Sequence, residues 1–555
     1  GVVTPVRGRD TMLLRDLNIS AAVLLLWVQA LHGSTLPAVS SYEFTAYRMQ
    51  QYNLAQQKHG CRGAIVVAEA RSADEPSLTR RCVIMKVPDF TTEKYLQAQK
   101  QHAAAVLILL PRNISSVPFD TIKVNFMLSE RDALLKETLM PVYVVPEDEQ
   151  MLYMYEEVKQ AAAMHASSIF IRVLRSMVTA TAFQILVSNN APIKAVTDNA
   201  VVTLEGVLPG IGEDAPTIVL TAHYDSFGLV PWLSYGADSN GSGVTILLEL
   251  ARLFQKFHLM FSLTGGGKYN FLGTKRWIEE NLDHAESSLL QDNVAFVLCL
   301  DTLANSDELY MHVSRPPKPD TPMQAFIHLL EEVVSSRFPW VKVGLIHKKI
   351  NLVDSSVAWE HERYSLRKIP GFTLSRLEDP RSELRGSILD TLSQVDLRKL
   401  KRNGMIVAEA LARYMYNLSD KVIRRAQDAQ TNAKTMFHDG RLSSLMSVLT
   451  SVPRASQLLD REPSHVLLVS SLEHEFKRYL QQVYRHTFQQ DKRDPDITFF
   501  DQMNQPIVMY RVKPAAFDLF LGGCIAAYLG IVYYAIQNFG DLYTKLKAAV
   551  KSKHQ

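Results

Sequence analysis

Between Ala515 and Ile536 the chain runs for roughly twenty residues, the depth of a bilayer core, with no charge except Asp518. Hydrocarbon offers no partner to an open backbone N–H or C=O, so such a run must be one helix, read as a transmembrane helix over 515–537. Lys545, Lys547, Lys551 and Lys553 follow it, with Asp541 the one acidic residue of the tail. The positive-inside rule places this basic tail, 538–555, in the cytosol and the bulk of the chain in a lumen. Near the other end, Arg7, Arg9 and Arg15 precede the apolar run Ala21–Leu31, and Ser34, Ala38 and Ser40 come after it. That order is the signature of a secretory signal peptide, read over 12–40. Together the two segments describe a single-pass type I membrane protein. The tail closes on Lys551-Ser552-Lys553-His554-Gln555, with lysines third and fifth from the end. This is the form of a dilysine retrieval signal for the endoplasmic reticulum, a receptor-read address. A stop-transfer flank is the plainer reading.

The length of 555 residues suggests about three or four domains. Hydrophobic content of 47% with 21% charged residues describes globular material, and a net charge of +3 gives no basic field for nucleic acid. Four cysteines are too few for a disulfide scaffold. Cys61 and Cys82 flank two candidate strands and could pair in an oxidising lumen, a question the sequence leaves open because it does not supply their Cα separation. Cys299 and Cys524 lie in apolar runs and read as buried thiols.

Residues 42–180 read as an N-terminal α/β lobe. Ala64–Ala68, Cys82–Val87, Ala104–Leu110 and Val142–Val145 are continuous apolar runs suited to buried strands, with helical patterns at Tyr95–His102 and Leu128–Met140. A second α/β unit is read over 181–418. Ala200–Leu208 alternates like a half-exposed strand, and Thr217–Ala222 is a buried strand that delivers His223 at its C-terminal end. A helix follows over 243–255, and the apolar run Val294–Leu300 delivers Asp301. Open α/β sheets place their sites at strand C-termini. Residues 419–510 show helical periodicity at Leu442–Leu459 and Leu467–Tyr484 and read as a helical membrane-proximal region.

Three stretches carry the chemistry. Thr221-Ala222-His223-Tyr224-Asp225-Ser226 is followed by Gly236-Ala237-Asp238-Ser239-Asn240-Gly241-Ser242-Gly243, and Asp301 comes after a strand. This order resembles the di-zinc aminopeptidase superfamily, a three-layer zinc-exopeptidase-like (phosphorylase/hydrolase-like) α/β fold. Such a site needs a bridging carboxylate, ligands for each metal and a base to activate water. The resemblance implies that His223, Asp238 and Asp301 stand at metal-ligand positions and that Asp225 orients the imidazole of His223. Gly267-Lys268 falls where the superfamily carries two glutamates, the general base and a ligand, flanked by Gly265-Gly266 and Leu272-Gly273-Thr274. The late histidine falls on Gly386 or a neighbour, and no histidine occurs between His361 and His438. Loss of a general base alone costs about a hundred- to ten-thousand-fold in rate. On this reading Lys268 replaces the missing metal charge and pairs with Asp238.

With both flanking apolar segments, the constellation resembles the nicalin–nicastrin family of aminopeptidase-fold pseudoenzymes. Leu233–Gly243, Gln291–Asp301 and Tyr510–Ala515 carry the resemblance. It implies no cofactor and a place in an endoplasmic reticulum membrane complex. The implied partners are nodal modulator and a small multi-spanning membrane protein, at the Sec translocon and ribosome during multipass membrane-protein biogenesis. Effects on nodal signalling and receptor assembly are implied as well. The competing reading is a one-metal hydrolase or a peptide- or amino-acid-binding module using His223, Asp238 and Asp301. One departure is local: 255–263 is shorter than in the family, which leaves little room for a full central strand.

The remaining motifs read as structural. Gly265–Lys268 lacks the Ser or Thr of a phosphate loop, and His361-Glu362 lacks the second histidine of a zincin helix. Asn113-Ile114-Ser115, Asn240-Gly241-Ser242 and Asn417-Leu418-Ser419 are sequons. Asn417 and Asn113 are the glycosylation candidates, whereas Asn240 lies inside the candidate metal turn and reads as unmodified.

Overall fold

A computed structural model of the chain describes residues 41–65, 67–117, 120–163, 182–188, 191–209, 216–254, 258–284, 290, 294–417, 437–491, 493–512, 515–540, 543, 544 and 547. The signal peptide at 12–40 and the dilysine pair Lys551 and Lys553 lie outside the described residues.

The N-terminal lobe runs β1 (Ser41–Arg48), β2 (Gln51–Leu54), β3 (Gln57–Cys61), β4 (Val67–Ser72), β5 (Arg81–Lys86), α1 (Thr92–Lys100), β6 (Ala105–Leu110), α2 (Asp120–Leu135), β7 (Glu137–Thr138), β8 (Val142–Pro146) and α3 (Glu149–Ala163). Strands β4, β5, β6 and β8 pair in parallel. β6 is buried at every position, the mark of a strand covered on both faces. Cys61 and Cys82 are both free thiols, and Cys61 Sγ donates to the Gly63 and Met140 carbonyls at 3.2 and 3.5 Å. The open question of whether these two cysteines pair is answered: they do not.

The chain continues through β9 (Ala182–Val187), β10 (Ala195–Val196), β11 (Ala200–Leu208), β12 (Thr217–His223), α4 (Gly243–Leu253), β13 (Leu259–Thr264), α5 (Leu272–Glu279), β14 (Val294–Leu300), β15 (Glu308–Val313), α6 (Pro322–Arg337), β16 (Lys342–His347), α7 (His361–Leu366), β17 (Gly371–Ser375) and α8 (Leu397–Tyr416). It ends with α9 (Asp439–Leu449), α10 (Pro463–Tyr479), β18 (Gln482–Gln489), β19 (Ile497–Phe500), β20 (Asn504–Val512) and α11 (Ala515–Gln537). The main sheet has the order β16-β15-β17-β14-β12-β13-β11-β18.

Side chains alternate across this sheet with the period of two that a strand imposes. Ile218, Leu220 and Ala222 of β12 join Phe261, Phe296, Leu298 and residues of α4, α6, α8, α9 and α10 in one core. Val219, Met260, Val297 and Cys299 turn the other way, onto Trp277 of α5 and Tyr364 of α7. This gives helix, sheet, helix: a three-layer α/β domain. β11 is buried nearly throughout rather than half exposed, because Val202, Leu204 and Leu208 face the main core while Val207 faces Trp277 of α5. β13 is complete despite the short connection before it and pairs with both β11 and β12.

The expectation of a helical region over 419–510 needs correction. Only 439–449 and 463–479 are helical among its described residues, and both helices pack on the main core. After them β18 joins the main sheet, and β19 joins a five-stranded sheet of order β10-β19-β2-β3-β7. Gln482–Gln489 is a polar edge strand without an apolar run, so hydrophobic patterning does not announce it.

Contact clustering gives two units. The larger, 45–163 with 187–507, holds the lobe and the three-layer domain. Among the described residues the smaller takes in 41–44, 182–186, 508–512 and 515–540. Within the smaller unit, α11 is long and apolar enough over Asp518–Gln537 to cross a membrane.

Candidate functional site

The site is built at the C-terminal ends of β12, β14 and β17. His223 ends β12 with its side chain fully buried, and its two ring nitrogens make no hydrogen bond. Its Nδ1 lies 3.9 Å from Glu360 Oε2, and its ring meets Phe271 edge-on at 5.6 Å. The other oxygen of Glu360 accepts three hydroxyls, from Thr221 and Thr264 at 3.0 Å and Thr274 at 2.7 Å.

Asp225 does not orient that imidazole. Its carboxylate accepts the Gly267 N–H at 2.7 Å, the Lys268 N–H at 3.3 Å and the Ser456 hydroxyl at 2.8 Å. The carboxylate thus fixes the backbone where the superfamily carries its glutamate pair. Gly267 has no space for that glutamate: a Cβ there would stand 2.3 Å from both Cβ and Cγ of His223.

Asp238 sits in a buried turn before α4. It accepts the Ala304 N–H at 2.9 Å and pairs with Arg376, whose Nε stands 2.7 Å from Oδ2. Lys268 is not its partner. The Lys268 ammonium donates to Ser239 Oγ at 2.6 Å and to the Arg385 carbonyl at 2.8 Å. Burial lowers that ammonium to about 8, against the pull of Asp301. The expected Lys268–Asp238 pair fails because Arg376, at the end of β17, reaches the carboxylate first.

Asp301 follows β14 and accepts Arg385 Nη2 at 2.6 Å and Nε at 3.2 Å. Burial alone would raise its carboxyl, but Arg385, with His223 and Lys268, holds it well below the usual carboxylate range. The Arg385 guanidinium lies over the Trp359 ring at 4.2 Å and donates to the Ala358 carbonyl. Gly386 follows directly, and a Cβ there would come 2.9 Å from Phe227.

The support behind the site comes from far along the chain. Asp390 accepts the N–H groups of Asp238 and Ser239 at 2.9 and 2.8 Å, and burial beside Asp238 raises its carboxyl to about 6. Arg454 is fully buried and donates to the carbonyls of Tyr224, Tyr235, Gly236 and Leu449. Asn240 donates to the His223 and Leu300 carbonyls and accepts from Gly243 and Thr302, so its amide is fully engaged. Asn113 and Asn417 are exposed, at the start of a short 3-10 turn and at the end of α8. His361 is buried with Nδ1 on Thr373 Oγ1 at 2.9 Å, and burial lowers its imidazole to about 3.

The structure therefore gathers His223, Asp225, Asp238, Lys268 and Asp301 in one place, with Gly267 and Gly386 at its rim. Arg376, Arg385, Arg454 and Glu360 are the residues that sequence reasoning missed. The signal for two of them was present, since Arg376 and Arg385 lie in the loop just after a buried strand. A cleft of about 1220 Å³ opens above, lined among others by Phe227, Gly267, Lys268, Phe271, Lys349 and Arg385. The residues present do not fit a metal: both candidate carboxylates are taken by guanidinium groups. Among the described residues no group of three or more His, Cys, Asp or Glu is arranged to hold one.

Residues 199–411 match the profile of peptidase family M28. The chain is 50% identical to the BOS complex subunit ncln of Danio rerio, over 92% of this chain and 93% of that one. It is 47% identical to the BOS complex subunit NCLN of Homo sapiens over 97% of each, and 28% identical to Nicalin of Caenorhabditis elegans over 95% and 96%. Among solved structures, the gamma-secretase component Nicastrin superposes with a TM-score of 0.55 at 11% identity, over 84% of this chain and 99% of that chain. At that identity the likeness is one of fold. An M28-type α/β domain, a nicastrin-like architecture and near-full-length identity to these subunits agree, and the chain belongs to the nicalin family.

Proposed function

We propose that the chain is a non-catalytic, single-pass subunit of an endoplasmic reticulum membrane complex of the BOS type, serving as its lumenal scaffold. The observation that carries the reading is the replacement of metal by cations of the chain itself. Arg376 neutralises Asp238 and Arg385 neutralises Asp301, both carboxylates almost fully buried. A buried charge is tolerated when paired, so the old site serves as an internal strut. No base stands at Gly267 to take a proton from water, which argues against hydrolysis. The apolar helix α11 and the basic residues after it support a type I topology with a cytosolic tail. Nearly full-length identity to named BOS complex subunits supports assembly with other membrane proteins. By family resemblance those partners are nodal modulator and a small multi-spanning protein beside the Sec translocon, during multipass membrane-protein biogenesis.

The test is purification of the full chain from microsomes in mild detergent, followed by identification of its stoichiometric partners. Recovery of the two membrane partners in fixed ratio, without aminopeptidase activity, is the expected result. Recovery of a lone chain that cleaves aminoacyl substrates would overturn it.

A further inference from the structure

The main sheet ends on β16, which pairs with β15 alone. The ladder is parallel and unbroken from Lys342 to His347. Lys342 donates its N–H to the Asp307 carbonyl at 2.8 Å and Lys348 to the Val313 carbonyl at 3.0 Å. In a parallel ladder both backbone groups of one residue face the same neighbour, so the alternate residues Val343, Leu345 and His347 turn theirs outward. Leu345 is 43% exposed, Trp340 just before the strand 61%, and Leu352 and Val353 just after it 80% and 92%. Soluble domains blunt such edges with proline, a bulge, an inward charge or a covering element. β16 has no proline and no bulge, and Lys342, its one lysine, is drawn sideways to Glu308 at 3.2 Å. Lys348 and Lys349, where the strand ends, are exposed and make no ion pair among the described residues.

We infer that β16 is a docking edge that takes an extended segment of another polypeptide as a ninth strand. The inference deepens the scaffold reading and rests on it. Backbone pairing with Val343, Leu345 and His347 supplies the affinity of such an added strand, and side chains supply its selectivity. The segment is apolar where it crosses Leu345 and acidic where it meets Lys348 and Lys349, because two exposed lysines favour opposite charge.

The test places a photoreactive benzoylphenylalanine at His347 of the full chain in native microsomal membranes, with Gln482 on the opposite sheet edge as control. Crosslinked peptides are identified by mass spectrometry. The expected product joins position 347 to an acidic, extended stretch of a different polypeptide. Leu345→Pro removes an outward N–H and no bond to β15, so the thermal midpoint is retained while crosslinking falls at least about tenfold. Lys348→Glu with Lys349→Glu, both exposed and independent of the fold, lowers the yield several-fold. Co-purification of membrane partners with no polypeptide crosslink at 347 overturns the inference and leaves the scaffold reading standing. A crosslink to a second copy of this chain, to lipid, or of unchanged yield in the double glutamate variant also overturns it. Loss of all co-purifying partners from the unaltered chain defeats the scaffold reading itself.

Discussion

The Arg385 guanidinium stands 2.6 Å from Asp301 Oδ2, one residue before Gly386, where a di-zinc peptidase would place its last histidine. Arg376 does the same for Asp238 at 2.7 Å. Two buried carboxylates are thus neutralised by guanidinium groups of the chain itself.

Arg385→Met is expected to destabilise the chain by about 3–5 kcal/mol, the usual cost of stranding one partner of a buried pair. Asp301→Asn in the same background recovers most of that loss. Denaturant unfolding of Arg385→Met, Asp301→Asn and the double variant checks the coupling; additive effects would refute it.

A glutamate placed at position 267 is expected to give no enzyme. Gly267→Glu drives a side chain into His223, whose Cβ and Cγ lie 2.3 Å from the new Cβ. Overpacking of this kind costs about 1–3 kcal/mol or more. A lowered thermal midpoint with no aminopeptidase turnover is expected. A stable and active variant would show that the cleft retains catalytic geometry.

Much of this was legible in the chain itself. Thr217–His223 and Val294–Leu300 announced buried strands, and the residues just after them mark the site. The register at Gly267 is fixed by Gly265, Gly266 and Gly273, whereas no flanking glycine marks position 386, so the sequence places the late histidine only at Gly386 or a neighbour. The cations were not assigned, since a lysine inside a motif draws attention away from arginines in a loop more than a hundred residues further on. Geometry decides here: Lys268 lies nearest in the motif, yet Arg376 has the reach to Asp238. Arg454 was hidden for another reason. It sits between two amphipathic helices, and its four carbonyl acceptors come from three separate segments.

Glu130 gives a pH signature. From α2 it accepts the N–H groups of Leu229 and Ile388 at 2.6 and 3.0 Å and the Ser387 hydroxyl, with no cation among these partners. Burial raises its carboxyl from 4.5 to about 7. The folded state therefore binds this proton more tightly than the unfolded chain. Its contribution to stability is fully present below pH 4.5, declines as pH rises and is lost above about 7, with a limiting slope of about 1.4 kcal/mol per pH unit. Glu130→Gln should flatten that part of the profile, measured by denaturant midpoints from pH 4.5 to 8. An unchanged wild-type-minus-variant difference across the window would contradict the assignment.

Glycan occupancy separates exposed from buried sequons. Asn113 and Asn417 are exposed, and Asn240 is fully buried with its amide engaged. Asn113→Gln and Asn417→Gln should each increase gel mobility, in lumenally expressed full-length chain, by one endoglycosidase-sensitive step. Asn240→Gln should cause no glycan-dependent shift and should lower stability, having lost a bridge between two strand ends. A glycan on Asn240 would mean that the turn is open when the chain is modified.

The central claim is that Arg376 and Arg385 stand in for metal at Asp238 and Asp301. Zinc content of the full chain, purified in mild detergent, loaded with zinc and dialysed, tests it most directly by elemental mass spectrometry. Substoichiometric zinc, unchanged by His223→Ala, is the predicted result; stoichiometric zinc that disappears in His223→Ala would contradict it.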